Sequence, residues 1–225
     1  MGSNYKKYDS NDCTNSILIG EDLGWAAGVL KMLDYLESDY IILFLEDFFL
    51  NKSVDTKKIL ELLNITRNNQ VGCFRLVSAS QLSFPPTLPI NDFPGLGVIV
   101  PGDLNRVSTQ VAIWKTDTLR KLLNPSFNAW QFEEIGTTLS EEMPDLFWGT
   151  YHPVILYDQC VEKGKWKPEG LRYLLRKPLS AKFLIIICFG LLGKKPINWL
   201  FKCYAHFKIS KIEKHEDRTP TSASK

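Results

Sequence analysis

Short apolar runs alternate with amphipathic segments along the first half of the chain. The runs at Ser16–Gly20, Tyr40–Leu45 and Val71–Val77 predict strands, and Tyr40–Leu45 is apolar enough for a strand buried on both faces. Between the runs, apolar residues at three- and four-residue spacing predict helices over 25–36 and 54–64. The first strand, helix and strand together predict a right-handed β-α-β unit with parallel strands.

The following segment is rich in residues that interrupt regular structure. Residues 78–105 contain five prolines and three glycines, which predicts a long loop of the kind that is usually functional or mobile. Alternation over Val107–Trp114 predicts a strand, Thr116 caps a predicted helix to Leu123, and residues 128–134 begin a helix or turn. Residues 147–156 are strand-like. The class predicted is α/β, with a mainly parallel sheet flanked by helices and an added antiparallel portion.

The chain changes character towards its C-terminus. Phe183–Leu192 is apolar for ten residues, well short of the about 20 that a membrane-spanning helix needs. Lysines and aromatic residues surround this run and continue to residue 212, which favours a helical anchor on an anionic membrane surface. The alternative is a core helix followed by a solvated basic helix. The predicted divisions are a disordered stretch at 1–16, a domain at 17–178, the membrane-surface segment at 179–212 and a disordered tail at 213–225.

Composition narrows the class of protein. The 225 residues are 44% hydrophobic and 23% charged, as in ordinary globular domains, and the net charge of +2 is too small to indicate a nucleic-acid partner. The five cysteines are scattered and form no C-x-x-C pair, so neither a zinc site nor a disulfide framework is indicated. Residues 1–15 contain no apolar stretch typical of a signal peptide. A cytoplasmic protein with reduced thiols is expected.

Candidate chemistry begins with two adjacent acids. Glu46 and Asp47 follow the Tyr40–Leu45 run directly, at the strand end where open α/β sheets bind ligands. Carboxylates in so apolar a segment are costly unless a metal ion, ligand hydroxyls or a cationic group pairs with them. The alternative is a strand end at which one acid caps the next turn. Arg75, near the end of the next strand, is a candidate to face the acids or a phosphate, or else a surface arginine.

The segment Ile17–Leu50 resembles glycosyltransferases of the GT-A fold, which transfer sugars from nucleotide diphosphates. The resemblance rests on a strand, the loop Leu23-Gly24-Trp25, a helix, and a strand ending in acids. It implies that Glu46 and Asp47 bind the donor, with Mn²⁺ or Mg²⁺ against the diphosphate, because a leaving diphosphate needs a cation. The family's third acid is missing, since Phe48 follows Asp47. Transfer could therefore rely on Arg75 and Lys165 instead of a metal ion.

A second resemblance lies downstream. Ser108–Trp114 followed by Trp130-Gln-Phe-Glu-Glu134 is similar to the acceptor-side half of such enzymes. The match implies that Glu133, or else Glu134, is the base that deprotonates the acceptor hydroxyl in an inverting transfer. It also implies that Gln110 and Trp130 bind the acceptor.

The basic turn Gly164-Lys165-Trp166 resembles one in bacterial polysaccharide enzymes, which implies that Lys165 faces the donor diphosphate. The whole pattern resembles transferases of O-antigen and capsule pathways. It implies a lipid-linked or glycan acceptor and a peripheral location at the inner face of the cell membrane.

Two other interpretations remain open. The strand-helix unit that usually opens a GT-A domain is not found before Ile17, so the chain is expected to be a shortened member or a fragment. With the missing third acid, this also fits a degenerate, non-catalytic domain that binds carbohydrate or a partner enzyme. A nucleotidyltransferase is the remaining alternative, but the sequence shows no glycine-rich phosphate loop of the kind such an enzyme would be expected to carry.

Overall fold

The computed structural model describes residues 2–5, 16–77, 85–162, 165–168 and 170. In these ranges the elements are, in chain order, β1 (Gly2–Ser3), β2 (Ile17–Leu18), α1 (Trp25–Leu33), β3 (Tyr40–Leu43), β4 (Phe48–Leu50), α2 (Thr56–Asn68), β5 (Val71–Arg75), β6 (Leu88–Pro89), β7 (Leu96–Val98), β8 (Ala112–Lys115), α3 (Thr116–Leu122), α4 (Ala129–Ser140), β9 (Leu146–Thr150), β10 (Tyr157–Gln159), β11 (Val161–Glu162) and β12 (Lys165–Trp166).

The described residues belong to two compact units. The first comprises those within Met1–Glu46 and Leu50–Tyr157, and the second those within Asp47–Phe49 and Asp158–Lys225. In the second unit, β4 pairs with β10 and β11 forms an antiparallel hairpin with β12. The backbone N–H of Cys160 donates to the Asp47 carbonyl at 2.8 Å, and the Lys167 N–H donates to the Cys160 carbonyl at 2.8 Å. These bonds join Asp47 to the hairpin that carries Lys165.

The first unit is built on a mixed sheet of six strands in the order β3-β8-β5-β9-β7-β6. Among the described strands of this sheet, only β5 and β9 pair in parallel, whereas the β3–β8, β8–β5, β9–β7 and β7–β6 pairs are antiparallel. The predicted α/β class, a sheet flanked by helices, is confirmed. The prediction of a mainly parallel sheet is wrong, because local apolar patterns encode a strand but not its partner or direction.

The predicted β-α-β unit at the start of the chain is also wrong. Ile17 and Leu18 pair in parallel with Gly2 and Ser3, and they do not join the sheet that contains β3. β3 is an edge strand among the described residues, and Ile42 is 43% exposed. The prediction of a strand buried on both faces therefore fails, because its apolar run lies at the sheet edge, where one flank has no strand neighbour in the described ranges.

Large side chains from helices and strands fill the core of the first unit. Trp114 of β8, Phe132 of α4 and Phe147 of β9 are fully buried. Their rings pack at 6.1 and 6.2 Å around Trp114, and Trp25 of α1 contacts Phe132 at 5.1 Å between ring centroids. These tilted and edge-on arrangements are the favoured ones for aromatic pairs. Burial of Phe132 fixes which face of α4 points inwards.

Helix positions follow the sequence pattern closely because their signals are local. The helices α1, α2 and α3 lie near their predicted places, although α1 ends at Leu33 and α2 extends to Asn68, and α4 is the helix of the predicted helix or turn. The prediction that Thr116 caps α3 is wrong, because Thr116 is the first residue of that helix and Lys115 is at the N-cap position. Asn128 caps α4 by a reciprocal capping box with Gln131, in which each side chain bonds the other residue's backbone N–H at 2.9 and 3.0 Å. This cap sets the start of α4 at Ala129.

The predicted strand at Val107–Trp114 is shorter than expected. Only Ala112–Lys115 is a strand of this segment. In the residues before it, backbone N–H groups donate to side-chain oxygens instead of to another strand. The N–H groups of Val107, Thr109 and Gln110 donate to Thr137 Oγ1, Glu133 Oε1 and Ser108 Oγ, respectively. Because these donors are already satisfied, residues 107–110 form a loop rather than a sheet ladder.

Within the described ranges, no helix combines the length and apolar character required to cross a bilayer. The predicted membrane-surface segment at 179–212 and the tail at 213–225 lie outside the described residues, as do residues 6–15 of the N-terminal stretch and residues 78–84 of the long loop.

Candidate functional site

Glu133, a predicted site residue, accepts three hydrogen bonds from a neighbouring loop. It lies in the second turn of α4, not in the first turn, where an acid would be solvated beside the helix terminus. Its Oε1 accepts hydrogen bonds from the Thr109 N–H at 2.7 Å, the Thr109 hydroxyl at 2.7 Å and the Ser108 hydroxyl at 3.2 Å. The neighbouring Glu134 is exposed. The structure therefore favours Glu133 over Glu134 as the residue with a defined geometry.

Arg75 lies in the same unit as Glu133, and the charges of the two side chains attract each other. The guanidinium is 3% exposed and its Nη2 donates to the backbone carbonyl of Asn105. Burial lowers the pKa of Arg75 from its ordinary value, and the negative charge of Glu133 is among the influences that act in the opposite direction. The prediction of a surface arginine is wrong, because Arg75 ends the fully buried strand β5.

Gln110, a predicted acceptor-binding residue, is held beside the same loop. The Tyr157 hydroxyl donates to Gln110 Oε1, and the Gln110 N–H donates to Ser108 Oγ at 3.2 Å. Ser108 in turn bonds Glu133. We call Arg75, Ser108, Thr109, Gln110, Glu133 and Tyr157 the Glu133 cluster.

An apolar groove adjoins the Glu133 cluster through Tyr157. The Phe44 ring packs edge-on against the Tyr157 ring, with 6.1 Å between centroids. Phe44 also lines a groove of about 290 Å³, together with Ile42, Leu50, Val54, Thr56, Ile59 and Ile155. The polar cluster and an apolar surface are thus neighbours in the first unit.

Trp130 lies one turn before Glu133 on α4. Its side chain is 62% exposed, so it does not belong to the core. Residues three apart on a helix are surface neighbours, and this spacing puts an accessible indole next to the Glu133 position. An exposed ring in this place has the apolar area needed to stack on a sugar, and its predicted acceptor-binding role stays a prediction.

The two predicted donor-site acids have different surroundings. Glu46 is exposed in a turn of the first unit, and Asp47 is half-buried in the second. Asp47 Oδ2 accepts a hydrogen bond from Gln159 Nε2 at 3.1 Å. Lys165, also in the second unit, is exposed on β12 opposite Glu162. Asp47 and Lys165 therefore belong to one unit, while Arg75 and Glu133 belong to the other.

Glu46 and Asp47 are the predicted metal ligands. In the part of the chain that the structure describes, no group of three or more His, Cys, Asp or Glu side chains could hold a metal ion. A site that relied on protein ligands alone would need more donors than Glu46 and Asp47 provide. The described residues do not fit such a metal centre, and metal dependence stays a prediction.

Several residues of the Glu133 cluster carry no recognisable signal in the sequence. Ser108, Thr109 and Tyr157 were not predicted to be site residues. Ser108 and Thr109 lie in an alternating segment typical of a strand, and Tyr157 belongs to no motif. Asn105 has a backbone signature that appears only in the structure, a φ of 53° in the left-handed region. Its carbonyl accepts from Arg75.

Comparisons of the chain with protein-family models, curated proteins and solved structures gave no match.

Proposed function

We propose that this protein is a glycosyltransferase that moves a sugar from a nucleotide-diphosphate donor to a hydroxyl of a lipid-linked or glycan acceptor. The observation that carries the proposal is Glu133, a carboxylate fixed through one oxygen by Thr109 and Ser108. A general base must be held within reach of the proton that it removes, and an ordered carboxylate meets this need. The sequence resemblance supplies the sugar-transfer chemistry.

The proposed reaction is a single displacement. Glu133 accepts the proton of the acceptor hydroxyl while that oxygen forms a bond to the anomeric carbon. The bond from the anomeric carbon to the diphosphate oxygen breaks, and its electron pair leaves with the diphosphate. A cation is needed to stabilise this developing charge, and the sequence resemblance implies Lys165 for that role.

The acceptor is proposed to carry a lipid. The apolar groove lined by Phe44 adjoins Tyr157 of the Glu133 cluster, so an acceptor hydroxyl and an attached hydrocarbon would find matching surfaces side by side. The basic, aromatic segment at 179–212 supports action at the cytoplasmic membrane face, beside such an acceptor.

A second candidate is a degenerate transferase domain that binds carbohydrate without turning it over. Two observations favour it: Phe48 stands in place of a third acid, and the described residues hold no group of three potential metal ligands. Donor binding does not distinguish a degenerate domain from an enzyme, whereas turnover does.

Donor binding is expected to raise the melting temperature of the protein. We would measure melting with UDP, GDP, CMP and dTDP sugars, each with and without Mn²⁺ or Mg²⁺. At about 100 times Kd, a ligand adds about 2.7 kcal/mol to the stability of the folded state, enough for a clear shift. We expect one donor class to produce the shift and Asp47→Ala to abolish it, because the sequence resemblance implies that Asp47 binds the donor.

Gln159→Ala is the matched control for Asp47→Ala. It removes the partner of the 3.1 Å hydrogen bond to Asp47 but keeps the carboxylate. We expect this variant to retain the donor-induced shift. Equal loss in both variants would indicate that Asp47 acts through local structure, and a folded wild type that responds to no donor would contradict the proposal.

A further inference from the structure

The hydrogen bonds of Glu133 are unequally divided between its two carboxylate oxygens. Oε1 accepts from both the backbone N–H and the hydroxyl of Thr109, each at 2.7 Å, and from the Ser108 hydroxyl at 3.2 Å. Oε2 accepts no hydrogen bond from the described residues. Two short bonds from one residue fix the position of Oε1 and determine which carboxylate oxygen faces the loop.

This asymmetry assigns different tasks to the two oxygens. A carboxylate without partners rotates and exchanges its oxygens, and a long glutamate side chain samples many rotamers. Bonds to Oε1 remove this freedom and leave Oε2 as the oxygen with unused lone pairs. Catalysis gains when a reacting group is held in the reactive geometry before the substrate arrives.

We propose that Thr109 is a positioning residue, which holds Glu133 Oε1 so that Oε2 is presented to the acceptor hydroxyl. The inference rests on the proposed function, in which Glu133 is the base. Thr109 contacts neither the acceptor nor the donor in this scheme and acts only through Glu133. The Thr109 hydroxyl is the essential element, because its bond to Oε1 depends on the side chain and is lost on substitution.

Two hydrogen bonds between Thr137 and Val107 have a purely structural role. Thr137 Oγ1 accepts from the Val107 N–H at 3.1 Å and donates to the Val107 carbonyl at 3.3 Å. It therefore joins the same helix to the same loop as Thr109 does, but without contacting Glu133. Thr137 and the α4 capping box hold the helix in place independently of Thr109.

The test compares Thr109→Val with Thr137→Val. Each substitution replaces a hydroxyl by a methyl group of similar volume, and both weaken the contact between α4 and the loop. We would measure kcat and KM for release of the nucleotide from UDP, GDP, CMP and dTDP sugars, with water or an alkyl glycoside as acceptor. Thr109→Val is expected to lower kcat by about 10- to 100-fold with little change in the donor KM.

Two variants complete the comparison. Thr109→Ser keeps the hydroxyl and should restore kcat to within about threefold of wild type, whereas Thr137→Val should melt lower but turn over at the wild-type rate. If Thr109→Val does not fold, Ser108→Ala replaces it, with a smaller expected loss of about two- to fivefold because that donor lies at 3.2 Å.

The inference and the proposed function fail in different ways. Equal kcat losses in Thr109→Val and Thr137→Val, or no loss in either, would overturn the positioning role of Thr109, while loss of turnover in Glu133→Gln would still support the base. A folded wild type that releases nucleotide from none of the donors would overturn the proposed function, and the positioning role with it.

Discussion

Glu133→Gln is expected to lower turnover by about 10²- to 10⁴-fold, the usual contribution of a general base. The amide oxygen can still accept from the Thr109 N–H, the Thr109 hydroxyl and the Ser108 hydroxyl, so the side chain keeps its place. It cannot take up a proton from the acceptor. Steady-state rates of nucleotide release measure the effect, and the melting temperature should stay within a few degrees of wild type.

Glu134→Gln is the matched control for this prediction. Glu134 is the next residue on α4, carries the same charge and is exposed, so the substitution reproduces the change in net charge without touching the Glu133 cluster. We expect its rates to be close to wild type. Comparable losses in both variants would point to a general electrostatic effect of α4, and a fully active Glu133→Gln would remove Glu133 from the mechanism.

Arg106→Met is expected to lower the free energy of unfolding by about 2–4 kcal/mol. Arg106 is 4% exposed, and its guanidinium donates to the carbonyls of Ile99 at 3.1 Å, of Ser140, and of Asp145 at 3.4 Å. It also lies 4.0 Å from the centroid of the Phe147 ring. Methionine has a similar length but no donor, so buried carbonyls would lose their partners.

The loss should be partly offset because the buried charge is itself unfavourable. Burial lowers the pKa of Arg106 from its ordinary value, which reflects the cost of removing a cation from water. The guanidinium donates to three carbonyls, but because of this offset we expect the free energy of unfolding to fall by only about 2–4 kcal/mol, roughly the cost of two unsatisfied carbonyls. Chemical denaturation, with the midpoint and slope fitted together, provides the measurement.

Arg120→Met is the control for Arg106→Met. Arg120 forms an ion pair with Asp34 at 2.8 Å, in which the Asp34 side chain is 66% exposed. Exposed ion pairs contribute little, so the change should stay below about 1 kcal/mol. Similar losses of unfolding free energy in the two variants would mean that the hydrogen bonds of Arg106 to three carbonyls do not stabilise the fold more than an exposed ion pair does.

The sequence predicts the helices of this fold better than its sheet. Periodic apolar positions act within one or two turns, so α1 follows from the local pattern, and α4 begins in the segment predicted as a helix or turn. Strand pairing depends on residues far apart in the chain. Nothing near Ile17 indicates that it pairs with Gly2, and nothing near Tyr40 indicates that β3 lies at an edge.

The candidate site was predicted in part for the same reason. Glu133 and Trp130 could be selected because they follow a recognisable motif, and Arg75 because it ends an apolar run. The choice between Glu133 and Glu134 required the position of the loop that supplies Thr109. Tyr157 could not be predicted from the sequence, because it belongs to no motif and its partner Gln110 lies 47 residues away in the chain.

The most direct test of the proposed function is turnover by the wild-type protein. We would incubate the folded full-length chain with each nucleotide sugar, in the presence and absence of Mn²⁺ or Mg²⁺, and quantify released nucleotide and new glycoside by mass spectrometry. The proposal predicts that one donor class releases its nucleotide and that the sugar appears on water or on an alkyl glycoside acceptor. Binding of a donor without any release would contradict catalysis and establish a carbohydrate-binding or nucleotide-binding domain instead.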